Sequence, residues 1–169
     1  MKARVLSFGM ARVKKSWREK LMDDKNLPKV FDTKNSKLAK KWGEGLCAIP
    51  RPRDIDGLMK KVPKGKLTTI NELRAAVVQQ YKTDIACPIT TGIFAWMSAN
   101  AAEEALGEGR KRVTPYWRTL KTGGEVNPKY PGGVAAQRKL LEAEGHETVK
   151  KGKRLLVVAF EKRVVTSKA

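Results

Sequence analysis

Two cysteines and a single histidine are all that this 169-residue chain contains of the usual metal-binding and redox side chains. Cys47 and Cys87 lie far apart without CxxC spacing, and only His146 stands by as a partner. Neither a disulfide framework nor a zinc site is suggested, and no metal or cofactor is expected. Long apolar runs are also missing: no window approaches the ~18–20 uninterrupted apolar residues of a membrane helix. The opening residues 1–8 are basic but too short in apolar character for a secretory signal. These absences read as an intracellular, cytoplasmic protein without a membrane anchor, nucleoid-associated if the source is prokaryotic. No internal repeat or low-complexity segment is visible.

Acidic residues are scarce as well, 17 Asp and Glu against 36 Lys and Arg, which leaves a formal charge of +19. Such an excess favours a polyanion, because phosphate neutralisation with counterion release is the general source of sequence-independent nucleic-acid affinity. The charge is uneven. Residues 1–66 carry 19 basic and 7 acidic side chains, residues 148–169 carry 7 and 1, and residues 67–147 are nearly balanced at 10 and 9. The grip is expected at the two ends. Length and this asymmetry suggest a basic N-terminal extension (1–50), one DNA-binding domain (51–162) and a basic tail (163–169).

Within the extension, a short amphipathic helix is predicted around residues 15–22, and the basic run Lys34 to Lys41 reads as a solvated face or as a phosphate-binding arm, its low hydrophobicity fitting one that orders only on DNA. Trp17 and Trp42 point to some packing there. Gly45 to Pro50 reads as extended, and Ile55, Leu58, Met59 and Val62 mark a helix that Pro63 ends. Thr69-Ile70-Asn71-Glu72 has capping-box spacing, so a helix starts at Ile70 and runs to Tyr81. A second helix, announced by Thr90-Thr91-Gly92, runs to Gly107. Two helices on a short linker suggest a helix-turn-helix whose second member enters a groove. Arg110-Lys111-Arg112 come next as a basic loop, Gly123-Gly124 and Asn127-Pro128 as turns, 133–144 as a third helix. Residues 146–149 and 154–160 read as a β-hairpin with a basic turn. The fold class is α+β and mostly helical, a winged-helix-like helix-turn-helix domain with a small C-terminal hairpin.

The stretch Thr114-Pro115-Tyr116-Trp117-Arg118 combines stacking surface with one cation, and Tyr130-Pro131-Gly132-Gly133 allows close backbone approach. Val62-Pro63-Lys64-Gly65-Lys66-Leu67-Thr68-Thr69-Ile70-Asn71-Glu72-Leu73 resembles the opening of the DNA-binding domain of O6-alkylguanine-DNA alkyltransferases. Pro115-Tyr116-Trp117-Arg118 falls at that family's Pro-Cys-His-Arg. Tyr130-Pro131-Gly132-Gly133, with Leu140-Leu141-Glu142-Ala143-Glu144-Gly145, resembles its closing motif. The resemblance covers about residues 60–146, in motif order, and leaves the N-terminal extension without a counterpart.

That resemblance implies a protein that flips a damaged guanine from duplex DNA. The family's acceptor cysteine is Tyr116 here, however, and its histidine is Trp117. A phenol, with a reference pKa near ~10, does not replace a thiolate, and an indole does not titrate. Ile70 replaces a tyrosine that turns the target phosphate, Pro131 replaces a serine donor, and Trp96 is the candidate for the side chain inserted into the stack. Glu144 occupies the family's glutamate without a histidine to orient, and His146 is read as a surface residue. The expectation is an alkyltransferase-like monomer that binds double-stranded DNA, alkylated or otherwise damaged, and acts in DNA repair without alkyl transfer, in company with repair proteins. The base pocket is expected from Tyr116, Trp117, Arg118, Tyr130, Pro131, Gly132 and Gly133. DNA contacts are expected from Lys64, Lys66, Thr69, Thr91, Phe94, Trp96, Arg110, Lys111 and Arg112. Two alternatives stand beside this: an enzyme using Cys87, next to a helix N-terminus, or a carboxylate, and a general DNA- or RNA-binding protein.

Overall fold

The helix that opens at Pro88 organises everything around it. In the computed structural model, which describes residues 13–166, α5 (Pro88–Gly107) buries Phe94, Ala95, Met97, Ser98, Ala99, Ala101, Ala102 and Ala105. A helix apolar on most of its faces must be surrounded, and the alanines let its neighbours approach closely. Those neighbours are α1 (Trp17–Met22), α3 (Pro52–Lys60) and α4 (Ile70–Tyr81). Leu21, Ile55, Met59, Leu73 and Val77 meet Phe94 and Met97 in one buried cluster. The helix begins at Pro88, two residues before the Thr-Thr-Gly signal, because proline is favoured in the first turn, where its missing N–H costs nothing. Thr91 then returns its hydroxyl to the Cys87 carbonyl at 2.8 Å.

Three small sheets frame the helices. β1 (Lys29–Asp32) runs antiparallel to β2 (Leu46–Ile49), with Lys29 opposite Ile49, and β2 runs parallel to β4 (Ile85–Ala86), the segment linking α4 to α5. A four-residue helix, α2 (Ala39–Trp42), lies between β1 and β2. β3 (Thr68–Thr69) pairs in parallel with β5 (Thr119–Leu120). Last come α6 (Gly133–Ala143) and the hairpin of β6 (Thr148–Lys151) and β7 (Arg154–Val157), closed by Gly152 and Lys153. Leu155 and Val157 join Leu67, Leu120, Val126 and Leu141 in a second buried cluster. Among the described residues, no helix is long and apolar enough to cross a membrane.

Several expectations change here. The Lys34 to Lys41 segment, read as a solvated face or a phosphate-binding arm, is a turn and α2 set between two paired strands, with its four lysines exposed. Of residues 13–50, Leu21 and Ala48 belong to the same cluster as Ile55 and Phe94, while Phe31, Trp42, Cys47 and Ile49 pack with Ile85 and Cys87 in a smaller one. Glu104 fastens α1 to α5, accepting from the Trp17 amide at 2.7 Å and from Arg18, whose guanidinium also reaches Glu108. Of the tail, Val164 bridges to Leu67 and the Val165 amide donates to the Leu67 carbonyl at 2.8 Å. Residues 1–12 and 167–169, the remainder of the basic extension and tail, lie outside the described residues.

If α1 is part of the cooperative core, Leu21→Ala lowers global stability by about 2–5 kcal/mol, as for other buried leucines. Urea unfolding followed by circular dichroism measures it. An unchanged midpoint would place α1 outside the folding unit.

Candidate nucleic-acid interface

The Pro-Tyr-Trp-Arg stretch forms a single 3-10 turn, Tyr116–Arg118, which leads into β5. Its side chains converge on one carboxylate. Glu144, just past α6, accepts from Arg118 Nη2 at 2.6 Å and Nε at 2.9 Å, from Trp117 Nε1 at 3.0 Å and from the Gly65 amide at 3.3 Å. The remaining Arg118 arm donates to the Val62 carbonyl at 2.7 Å. Burial alone would raise the Glu144 carboxyl, but Arg118, the indole N–H and the Gly65 amide together hold it below the ordinary glutamate value. Arg118 is therefore a structural cation within a network, bracing the loop after α3 against the end of α6.

The aromatic residues expected to line a base pocket pack on one another instead. Tyr116 and Tyr130 are 1% and 2% exposed, and Tyr116 meets Trp117 and Tyr130 edge to face at 5.5 Å with interplanar angles of 81° and 88°. Walls for a flat base must be near parallel with a gap between them, and here the edges fill that gap. Tyr116 donates to Glu103 at 2.7 Å, and burial followed by that carboxylate pushes its phenol far up, so it stays protonated and is no acceptor. The Tyr130 hydroxyl is buried with only a loose approach of the Asn127 side chain. Pro131 and Gly132 lead into α6, which starts at Gly133. Gly132 has φ +77°, and an added Cβ would stand 2.5 Å from that of Ala136.

The expected DNA-contact residues also separate. Thr69 is buried and caps α4 through the Glu72 amide at 3.3 Å, Thr91 bonds its own helix, and Phe94 is core. Lys64 and Lys66 are exposed on the loop before β3. Arg110, Lys111 and Arg112 are exposed but lie beyond the far end of α5, roughly 20 Å along the axis from Gly92 at ~1.5 Å per residue. Arg110 and Arg112 line a separate cavity of about 250 Å³ with Arg18, Asp56 and Lys60. Cys87 is 4% exposed and packed with Cys47 and Ile85, shut away from any substrate. His146, expected at the surface, is 6% exposed, with a buried Nε2 that has no hydrogen-bond partner; burial lowers its pKa from 6.5.

What the structure does open is a cleft of about 530 Å³ on the first half of α5. Ile89, Gly92, Ile93 and Trp96 supply one wall, Ile70 of α4 the next, and Lys121, Asn127, Pro128 and Lys129 the loop that faces them. Ile89, Ile93 and Trp96 are 58%, 46% and 36% exposed at i, i+4 and i+7, an apolar stripe left uncovered on a strongly basic protein. Trp96 is braced from behind by Trp17, edge to face at 4.8 Å, with Lys20 4.0 Å over the Trp17 ring. Gly92 leaves a gap in the wall: a Cβ there would meet nothing within 4 Å. The facing loop is held by buried Gln137, which accepts from the Asn127 amide at 2.9 Å and donates to the Trp117 carbonyl at 3.1 Å. Gln137 went unnoticed in the sequence, where its one signal is an amide on the apolar face of the third helix. Of the predicted contact residues, only Trp96 lines this cleft. Among the described residues, no His, Cys, Asp or Glu cluster is arranged to hold a metal ion.

No protein-family model and no curated protein matches this chain. Among solved structures, it is similar to S. pombe Atl1 in complex with damaged DNA containing O6-carboxymethylguanine, at 14% identity and a TM-score of 0.46. That superposition covers 69% of this chain and 94% of that one.

Replacing Glu144 by Ala strands the Arg118 guanidinium, whose side chain is 13% exposed, and costs about 3–5 kcal/mol, as when one partner of a buried ion pair is removed. Glu144→Gln, which keeps an acceptor, costs less; urea midpoints rank the two, and a wild-type-like Glu144→Ala would refute the network's role. His146 binds its proton more readily when unfolded, so stability falls as pH drops below about 6.5, and Glu144 adds a second loss only below about 4.5. His146→Gln flattens the upper window, and an unaltered profile would refute the assignment.

Proposed function

We propose that this chain binds double-stranded DNA through the face carrying α4 and the first half of α5, and that the cleft there receives a base displaced from the stack. The single observation that carries this reading is the open apolar cleft, with Trp96 at one end and Lys121 and Lys129 on the facing loop. α4 and α5, joined by a short link through β4, act as the helix-turn-helix, and the β6–β7 hairpin as the wing. The motif resemblance noted in the sequence supports the same ligand. The cation-rich chain, at +19, supplies affinity for any duplex, and the cleft supplies the discrimination.

The energetics favour bases that are already poorly paired. Extruding a paired base costs a few kcal/mol, and stacking one on an aromatic side chain returns roughly 1–3 kcal/mol. An isolated indole face thus falls short for a sound base pair and suffices for a mispaired, damaged or unopposed one. Trp17 fixes the Trp96 ring before DNA arrives, so little ordering remains to be done on binding. With the phenol of Tyr116 held neutral and buried, and Cys87 inaccessible, the base is held and not modified. Damage sensing without alkyl transfer is the resulting activity.

Gly92→Leu fills the cleft from an unstrained helical position and removes the preference for a duplex with an unopposed 2-aminopurine over a fully paired one, leaving general affinity intact. Trp96→Ala lowers the same preference by about 1–3 kcal/mol. Fluorescence titration on paired, abasic-opposed and O6-methylguanine duplexes measures both. Equal wild-type affinity for all three would reduce the protein to a general nucleic-acid binder.

A further inference from the structure

A second groove, of about 460 Å³, lies between α6 and the hairpin, away from the apolar cleft. Its floor is Val134, Ala135 and Leu155; its walls carry Arg138 and Lys139 from α6 and Lys150, Lys153 and Arg154 from the hairpin. One carboxylate, Glu142, stands among these five cations, and it is taken up by Arg138 at 2.7 Å and by the Thr148 hydroxyl at 3.0 Å. Among the described residues, Lys139, Lys150, Lys153 and Arg154 have no ion-pair partner. The hairpin register explains why cations gather here. Lys150 stands opposite Leu155 on the face turned to the core, at the point where that core ends, so its long stem runs out over the groove.

We infer that this groove holds the sugar-phosphate backbone of the same DNA duplex, a few base pairs to one side of the base in the cleft; the inference rests on DNA being the ligand. Every cation in it is exposed, so it lacks the buried, fixed donors that hold a small anion. Several exposed charges along two walls suit an extended polyanion, where each contact is weak and the contacts add. The two sites are also close in chain terms. Lys129 is on the cleft and Val134 on the groove floor, so even a fully extended connection spans at most about 18 Å at ~3.3–3.6 Å per residue. At ~3.4 Å per base pair along the axis, that is about five pairs.

The test is the triple variant Lys139→Gln, Lys150→Gln, Lys153→Gln, with the corresponding Lys→Arg triple as its conservative partner. On a duplex with one unopposed base, the Gln triple lowers the slope of log K against log salt by roughly 2–3, at ~0.9 for each phosphate no longer neutralised. It also shortens the hydroxyl-radical footprint on one side only. Preference for the unopposed base over a paired one is retained, and the Arg triple keeps both slope and footprint. An unchanged slope and footprint in the Gln triple would overturn the inference and leave the groove to an acidic polypeptide segment. Symmetric shortening, or the same reduction of slope in the Arg triple, would overturn it as well. Because the salt slope is read on any duplex, it stays separate from the base preference on which the proposed function depends.

Discussion

The Glu144 carboxylate is the point on which three distant stretches of chain agree. The loop after α3 reaches it through the Gly65 amide, the 3-10 turn through Trp117 and Arg118, and α6 by ending there. A buried carboxylate without those donors would be driven toward protonation, and a buried guanidinium without the carboxylate would be costlier still. Each group is tolerable only because the others are present. That mutual requirement holds the 3-10 turn against α6, and Gln137 then carries the constraint onward from the Trp117 carbonyl to the Asn127 amide. The loop forming one side of the cleft is thus tied to a polar network behind it as well as by its own turn hydrogen bonds.

This arrangement explains how a stretch rich in recognition chemistry sits inside the protein instead of at its surface. Tyr116, Trp117 and Tyr130 contribute ring edges to one another, and their polar atoms are directed to Glu103 and Glu144 or buried. At the position where the resemblance calls for histidine, Trp117 still gives Glu144 an N–H. A donor is kept while titration is lost, which suits a supporting role. Apolar surface reappears one layer outward, on Ile89, Ile93 and Trp96.

How much of this was legible in the sequence depended on whether the signal was local. The α4 limits could be read because Thr69 and Glu72 sit at cap spacing, and α6 because Gly132-Gly133 and Gly145 bracket it. β1 could not be read: its four residues are Lys, Val, Phe and Asp, mostly exposed, and it exists because β2 lies beside it. The β2–β4 pairing involves two residues and a long sequence separation, which periodicity cannot detect. For the site, the sequence marked Trp96 and the turns around Gly123 and Asn127, but residue type alone does not distinguish a ring presented to a ligand from a ring packed on another ring. His146 shows the same blindness in reverse, since a lone histidine after a helix-ending glycine has the look of a surface residue until the fold closes over it.

The distribution of charge then acquires a spatial meaning. The cleft carries two lysines, Lys129 and Lys121, the latter partly engaged by Glu125 at 3.3 Å, whereas four unpaired cations crowd the groove beside α6. Separating the two is physically sensible. Phosphate contacts are long-ranged, additive and indifferent to sequence, so they serve best where they fix a duplex in register; a stacked base is judged at short range, where nearby lysines would attract every strand alike. Under the proposed function, with most of the grip placed aside from the cleft, affinity for any duplex and selectivity for a displaced base would be set by different residues on different elements.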